Sequence, residues 1–96
     1  MTDRDLDVVE RYVVDLWRPT KRAPRPPVAL SKEFDRIEID LDKWTEPEDA
    51  IVLQDLLAQT MGRNGYDWDF WFLPVGKLPN YSTLCVSYKE TEEEVP

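Results

Sequence analysis

The sequence contains no histidine and only one cysteine, Cys85. The lack of histidine excludes Ser-His-Asp and Cys-His catalytic arrangements and every histidine-ligated metal site. A single cysteine cannot form an internal disulfide or a multi-cysteine metal site. We therefore expect a protein that is not an enzyme and that uses no cofactor and no metal ion.

Long apolar runs are missing as well, because no run exceeds five residues. A membrane-spanning helix needs about 20 predominantly apolar residues. No basic segment followed by an apolar one opens the chain, so we expect no membrane span, no secretory signal and a cytoplasmic location. With 96 residues and a 42% hydrophobic composition, the chain is long enough for one small domain around a single core.

Basic residues are scarce, since 12 Lys and Arg against 20 Asp and Glu give a formal net charge of -8. One basic segment, residues 18–32 with a net charge of +5, separates acidic blocks of -3 at 1–17, -6 at 33–49 and -4 at 50–96. An acidic molecule is repelled by nucleic acid and by anionic membranes. We expect a protein partner, with a basic nucleic-acid-binding protein or complex as the electrostatic match, and no direct binding of nucleic acid or membrane.

The pattern along the chain divides it into four parts. Apolar residues that recur every three or four positions predict a helix in the first part, and four closely spaced prolines predict an extended linker in the second. An acidic stretch at the end is typical of a disordered tail. The expected parts are an N-terminal helix at 1–18, a proline-rich basic linker at 19–32, an α+β core at 33–89 and a disordered acidic tail at 90–96.

Within the core, alternating apolar and polar residues predict strands near 37–42, 66–73 and 81–88. A capping-box spacing followed by a broad apolar face predicts a helix over about 46–61. The first two strands and this helix suit a right-handed parallel crossover, and the last two strands suit a hairpin. We therefore expect an α+β fold in a small single domain, with the order α-β-α-β-β and a three-stranded mixed sheet that has a helix packed on one face.

Acidic residues occupy the predicted solvent face of two of these strands. Strand residues two positions apart lie about 6.6 Å from each other, so the carboxylates would form an anionic grid on a scale comparable with nucleic-acid phosphates. Trp71 falls on the same face, where it is either covered by the first helix or exposed as an anchor for a protein partner. The candidate partner-binding residues are Glu38, Asp40, Asp42, Asp67, Asp69 and Trp71. The alternative interpretation is an ordinary solvated sheet face.

These features favour a small acidic protein-binding inhibitor that occupies a basic, nucleic-acid-binding surface of its partner. In size, charge and expected architecture the chain resembles the small acidic inhibitors encoded by phages and mobile elements, including anti-CRISPR proteins and other nucleic-acid mimics. No functional residue is carried over from that resemblance.

Two alternatives stay open. One is an immunity protein that neutralises a nuclease toxin by plugging its basic active site. The other is a structural or scaffold subunit that assembles through the N-terminal helix, and the number of copies in the assembly is left open. An enzymatic function is the least favoured, because no pattern indicates a cleft that would shift the pKa of one carboxylate relative to another.

Overall fold

A computed structural model describes residues 1–17, 25–41, 46–75 and 78–89. Its two helices and four strands form a small, compact α+β fold, which confirms the predicted fold class. Position 18 of the predicted N-terminal helix, positions 19–24 of the predicted linker and the predicted tail at 90–96 lie outside the described residues. In chain order the elements are α1 (Asp3–Trp17), β1 (Val28–Ser31), β2 (Arg36–Asp40), α2 (Pro47–Arg63), β3 (Trp68–Val75) and β4 (Leu78–Tyr88).

The four strands form one sheet in the order β1-β2-β4-β3, and every neighbouring pair is antiparallel. The prediction of a three-stranded mixed sheet is therefore wrong. The additional strand is β1, which uses positions that the proline pattern assigns to the linker and pairs with β2 from Val28 opposite Ile39 to Ser31 opposite Arg36. An edge strand of four residues requires only alternating side chains and one neighbouring strand to pair with. The prolines of the segment end just before this strand, so they do not prevent the pairing.

The predicted parallel contact between the strands on either side of α2 is also wrong. β2 and β3 are both antiparallel to β4, so they do run in the same direction. However, β4 folds back from β3 and lies between them. With β1 included, the order of elements along the chain is α-β-β-α-β-β. The connection through α2 passes over β4 and does not join neighbouring strands.

Helix α1 begins with a capping box formed by Thr2 and Asp5. The Thr2 amide and hydroxyl both donate to Asp5 Oδ2, at 2.9 and 3.1 Å, and the Asp5 amide donates back to Thr2 Oγ1 at 3.3 Å. Val9, Val13 and Trp17 follow at four-residue intervals and are buried. The helical periodicity in the sequence therefore identifies both the start of α1 and its buried face.

Helix α2 extends two residues beyond its predicted C-terminal end, and the side chain of its N-cap residue, Glu46, makes no capping hydrogen bond. It begins with Pro47 at its first turn, which suits a position where the amide has no helical partner. It ends at Arg63, and the Asn64 amide donates to the Met61 carbonyl at 3.0 Å. The positive φ of 94° belongs to Gly65, so Gly65 rather than Gly62 supplies the left-handed residue after the helix.

Both helices pack on the same face of the sheet and enclose one core. In β2, Ile37 and Ile39 are fully buried there while Glu38 and Asp40 occupy the alternate positions, which confirms the predicted alternation. None of the described helices has the length and apolar content needed to cross a membrane. The buried core consists of Val9, Val13, Trp17, Ile37, Ile39, Leu41, Ala50, Leu53, Leu57, Met61, Leu84 and Val86.

Candidate protein-binding face of the sheet

The sheet has a second face, opposite the helices, which we call the open face. Successive strand residues point to opposite faces, so the strand positions that alternate with the core residues lie here. Strand pairing aligns them in rows, one of which runs from Glu38 in β2 through Cys85 in β4 to Trp71 in β3. The open face includes Ala29, Ser31, Arg36, Glu38, Asp40, Asp69, Trp71, Thr83, Cys85 and Ser87.

Four of the six predicted site residues come together on this face. They are Glu38 and Asp40 in β2, and Asp69 and Trp71 in β3. Asp67 lies just before β3 and is exposed at the margin of the same face, while Asp42 lies outside the described residues. The sheet thus displays most of the predicted set. Two features of this display affect what the face can bind.

The first feature is that cations neutralise part of the set. Arg36 Nε donates to Glu38 Oε2 at 2.8 Å, and both side chains are largely sheltered, with exposed fractions of 17% and 33%. Lys89 Nζ lies 3.2 Å from Asp67 Oδ1 in a pair that is open to solvent. The expected uninterrupted anionic grid is therefore not formed.

This neutralisation results from the alternation of side chains along β2, which also places the acidic residues on the open face. Arg36 is two positions before Glu38, so both point to the open face and their charged groups meet. Lys89 likewise lies beside Asp67 at the margin of this face. Two of its described carboxylates are therefore already paired with cations.

The second feature is the position of Trp71. Helix α1 packs on the opposite face of the sheet, so it does not cover this tryptophan. Trp71 is half-buried and lies directly opposite Cys85 in β4. Burial raises the pKa of the Cys85 thiol; the nearby Arg36 cation lowers it and Glu38 raises it further, and the net shift is upward.

A groove of about 530 Å³ opens at one end of the open face. Phe34 at its rim is 58% exposed, whereas Tyr88 lies at the end of β4 with its ring against Trp68 on the helix side of the sheet. The groove is lined by Phe34, Asp35, Arg36, Asp69, Trp71, Ser87 and Tyr88. Pockets of this size, with aromatic walls and a few polar groups, are typical of binding sites.

Five of these residues are not among the predicted site residues: Phe34, Asp35, Arg36, Ser87 and Tyr88. Phe34 and Asp35 lie in the turn between β1 and β2, where Asp35 adopts a left-handed φ of 53°. Aspartate tolerates that conformation better than most residues, which makes it a usable turn signal. Without β1 there is no hairpin in the prediction, and so no reason to place Phe34 at its tip beside β4.

Most charges of the groove already have partners. The Arg36 guanidinium lies 4.5 Å from the Phe34 ring centroid in addition to its bond with Glu38. Asp35 accepts a hydrogen bond from the amino group of Met1. In the part of the chain that the structure describes, no cation pairs with Asp69.

Metal chemistry has no visible basis in the described residues, where no three His, Cys, Asp or Glu side chains cluster as metal ligands. Comparisons of the chain with protein-family models, curated proteins and solved structures found no match in any of the three.

Proposed function

We propose that this protein is a small inhibitor that binds another protein through its open face and thereby occupies a basic, nucleic-acid-binding surface of that partner. The supporting observation is the groove, in which Trp71 and Phe34 are accessible beside the carboxylate of Asp69. Tryptophan and other aromatic residues dominate the binding energy of many protein interfaces. No catalytic step is part of the proposal.

The charges of the protein have different effects at long range and at direct contact with a partner. At long range, the whole molecule with its net charge of -8 attracts a basic partner and repels nucleic acid. At contact, the open face relies more on aromatic burial than on ion pairs, because two of its carboxylates are already paired within the chain. This arrangement differs from pure phosphate mimicry, because it predicts an interface with an aromatic centre and an acidic surround.

The proposed partner belongs to the class that the sequence indicates. In size and charge the protein resembles the acidic inhibitors of phages and mobile elements, including anti-CRISPR proteins. The proposal therefore places the partner among cytoplasmic nucleic-acid-binding machines. A nuclease toxin, as in the immunity-protein alternative, would present a comparable basic surface, and identification of the partner would separate the two.

The scaffold alternative is weakened by the packing of α1. Its apolar residues Val9, Val13 and Trp17 are buried against α2 and the sheet. A helix whose apolar face is already used within the chain has little left for assembly with other copies. We therefore place the interface on the open face and not on α1.

The proposal can be tested by affinity capture from a protein fraction that binds DNA-cellulose. The immobilised chain should retain a protein from that fraction, and an excess of duplex DNA should release it. The double variant Asp69→Asn with Trp71→Ala should bind it at least about tenfold more weakly, because truncation of a central aromatic residue costs about 2 kcal/mol or more.

A matched control is the double variant Asp55→Asn with Ile51→Ala, which makes the same kind of change on the exposed side of α2. It should capture the partner as the wild type does. The proposal is wrong if both double variants retain the partner equally well, or if the captured partner still binds DNA with unchanged affinity.

A further inference from the structure

We infer that the groove of the open face receives an arginine side chain of the partner, with the guanidinium group against Trp71 and its charge facing Asp69. This inference rests on the proposed function, because it assigns a chemical group to the contact with a basic partner. It goes further by committing to one cation, one aromatic platform and one carboxylate.

The charge balance of the groove indicates how many cationic groups of a partner it can accept. Asp35 accepts a hydrogen bond from the Met1 amino group, and Arg36 is paired with Glu38. Among the charged side chains that line the groove, Asp69 is the one that no described cation pairs with. A single added positive charge would therefore balance the groove, whereas a second would face Arg36.

The geometry of β3 suits a group that is both flat and charged. Asp69 and Trp71 are two positions apart on the same face, about 6.6 Å from each other. A guanidinium group that lies on an indole ring can reach a carboxylate at that distance with its N–H groups. The groove, at about 530 Å³, also has room for the neighbouring backbone of the arginine.

The chain already holds one guanidinium in this manner. Arg36 lies over the Phe34 ring at 4.5 Å from its centroid and donates to Glu38 at 2.8 Å. Phe34 and Glu38 thus hold the Arg36 guanidinium with the same pair of groups, an aromatic ring and a carboxylate, that Trp71 and Asp69 offer in the groove. The internal contact of Arg36 therefore serves as a precedent for the second one.

Arginine suits the site at Trp71 and Asp69 better than lysine for three reasons. Its guanidinium group is planar and stacks on aromatic rings, it is more weakly hydrated than an ammonium group, and its donors match a carboxylate in pairs. Surfaces that bind nucleic acid are rich in arginine for related reasons. We therefore expect the groove to distinguish the two basic residues.

A titration with short blocked peptides tests this. The probes are Ac-Gly-Arg-Gly-NH2 and Ac-Gly-Lys-Gly-NH2, added to the nitrogen-15-labelled full chain while amide and indole resonances are followed. The arginine peptide should shift the Trp71 indole N–H and the amides of Asp69 and Ser87 in a saturable way. The lysine peptide should bind at least about fivefold more weakly.

Single substitutions test which side chains form the arginine site. Asp69→Asn and Trp71→Leu should each abolish saturation by the arginine peptide, and Trp71→Phe should retain part of it because an aromatic ring remains. Asp55→Asn on α2 should behave as the wild type. Unchanged resonances of the core residues Leu57 and Ile39 would show that each variant is folded.

The inference is overturned if both peptides bind equally, if Asp69→Asn has no effect, or if the shifts spread over the acidic surface of the helices.

The outcome is distinguishable from failure of the proposed function. If the DNA-cellulose fraction yields a partner that depends on Trp71 while the arginine peptide leaves the groove unperturbed, the arginine site is wrong and the proposed function stands. If the peptide saturates the groove but no partner is released by DNA, the arginine site is supported and the inhibitory function is wrong.

Discussion

Trp71 and Cys85 lie directly opposite each other on β3 and β4, on the face of the sheet that no described helix covers. Cys85 nevertheless has no exposed surface. Since the helices are on the other side, its cover comes from open-face neighbours, with Trp71 on one side and Glu38 on the other. We infer that Trp71, which lines the groove, also shields the Cys85 thiol from solvent.

This arrangement predicts the reactivity of Cys85. In the native wild type at pH 8 the thiol should react slowly with a disulfide reagent such as DTNB, because it is buried and its pKa is raised by that burial. Trp71→Ala should increase the native-state rate by about tenfold or more, since reaction no longer requires local opening of the sheet. Absorbance of the released thiolate measures the rate.

The control for this experiment is Ile51→Ala, which changes an exposed side chain of α2 far from the thiol. It should react as slowly as the wild type. Equal rates in the wild type and Trp71→Ala would show that Trp71 does not cover Cys85. Guanidinium-unfolded samples of all three should react fully, which confirms that the thiol is intact.

The two ion pairs of the open face should contribute unequally to stability. Arg36→Gln should lower the free energy of unfolding by about 1 kcal/mol, because it removes a sheltered pair with Glu38 and the contact with Phe34. Lys89→Gln should change it by less than about 0.3 kcal/mol, because that pair is solvated. Urea unfolding followed by circular dichroism provides both values, and equal losses would contradict the assignment.

The sequence allowed prediction of those elements whose periodicity is local. The four-residue spacing in α1 and the alternation in β2 identify their own buried faces, because each pattern is set by the geometry of a single element. β1 was missed because only Val28 and Leu30 face the core, and two apolar residues after a proline-rich stretch form no pattern. The position of β4 between β2 and β3 depends on pairing across the whole chain, which no local pattern specifies.

The site was predictable to the extent that it follows from alternation. The positions of Glu38 and Asp69 on one face follow directly from the strand patterns. The pairing of Arg36 with Glu38 follows from the same rule, so the neutralisation could have been anticipated from the spacing of two. The groove could not, because Phe34 reaches it only through the hairpin between β1 and β2.

Gln54 should protect the outer edge of the sheet. β3 is the last strand in the sheet order, and Gln54 Nε2 donates to the Phe70 carbonyl at 2.7 Å. Gln54→Ala should lower the free energy of unfolding by about 1 kcal/mol and increase self-association, since an edge carbonyl loses its donor. Urea unfolding and light scattering measure the two effects.

Gln59→Ala is the matched control, because Gln59 is exposed on the same helix. Both substitutions change helix propensity equally, so the difference between them isolates the contact with Phe70. If the two variants have the same stability and the same molar mass in solution, Gln54 does not guard the edge.

The contact between Tyr88 and Asp5 should make stability depend on pH at both ends of the range. The Tyr88 hydroxyl donates to Asp5 Oδ2. Burial works to raise the pKa of Asp5, but hydrogen bonds from Tyr88 and Thr2 and the charge of the terminal amine outweigh it and hold that pKa below its usual 3.8. The pKa of Tyr88 is raised above its usual 10.0, mainly by the same hydrogen bond, with smaller effects of burial and of the charges of Asp5 and Asp35.

The signs of these shifts define the window. A depressed pKa of Asp5 contributes stability above pH 3.8 that is lost as the pH falls through the folded-state value, and a raised pKa of Tyr88 contributes stability below pH 10.0 that is lost as the pH rises through its folded-state value. The urea midpoint of Tyr88→Phe should therefore lie below that of the wild type by a constant amount between about pH 5 and pH 9, and the two should converge outside that range. Tyr66→Phe, whose ring contacts with Tyr12 and Trp68 would remain, should show no such convergence. A Tyr88→Phe difference that is the same at pH 3 as at pH 7 would mean that the hydroxyl does not bond to the ionised carboxylate.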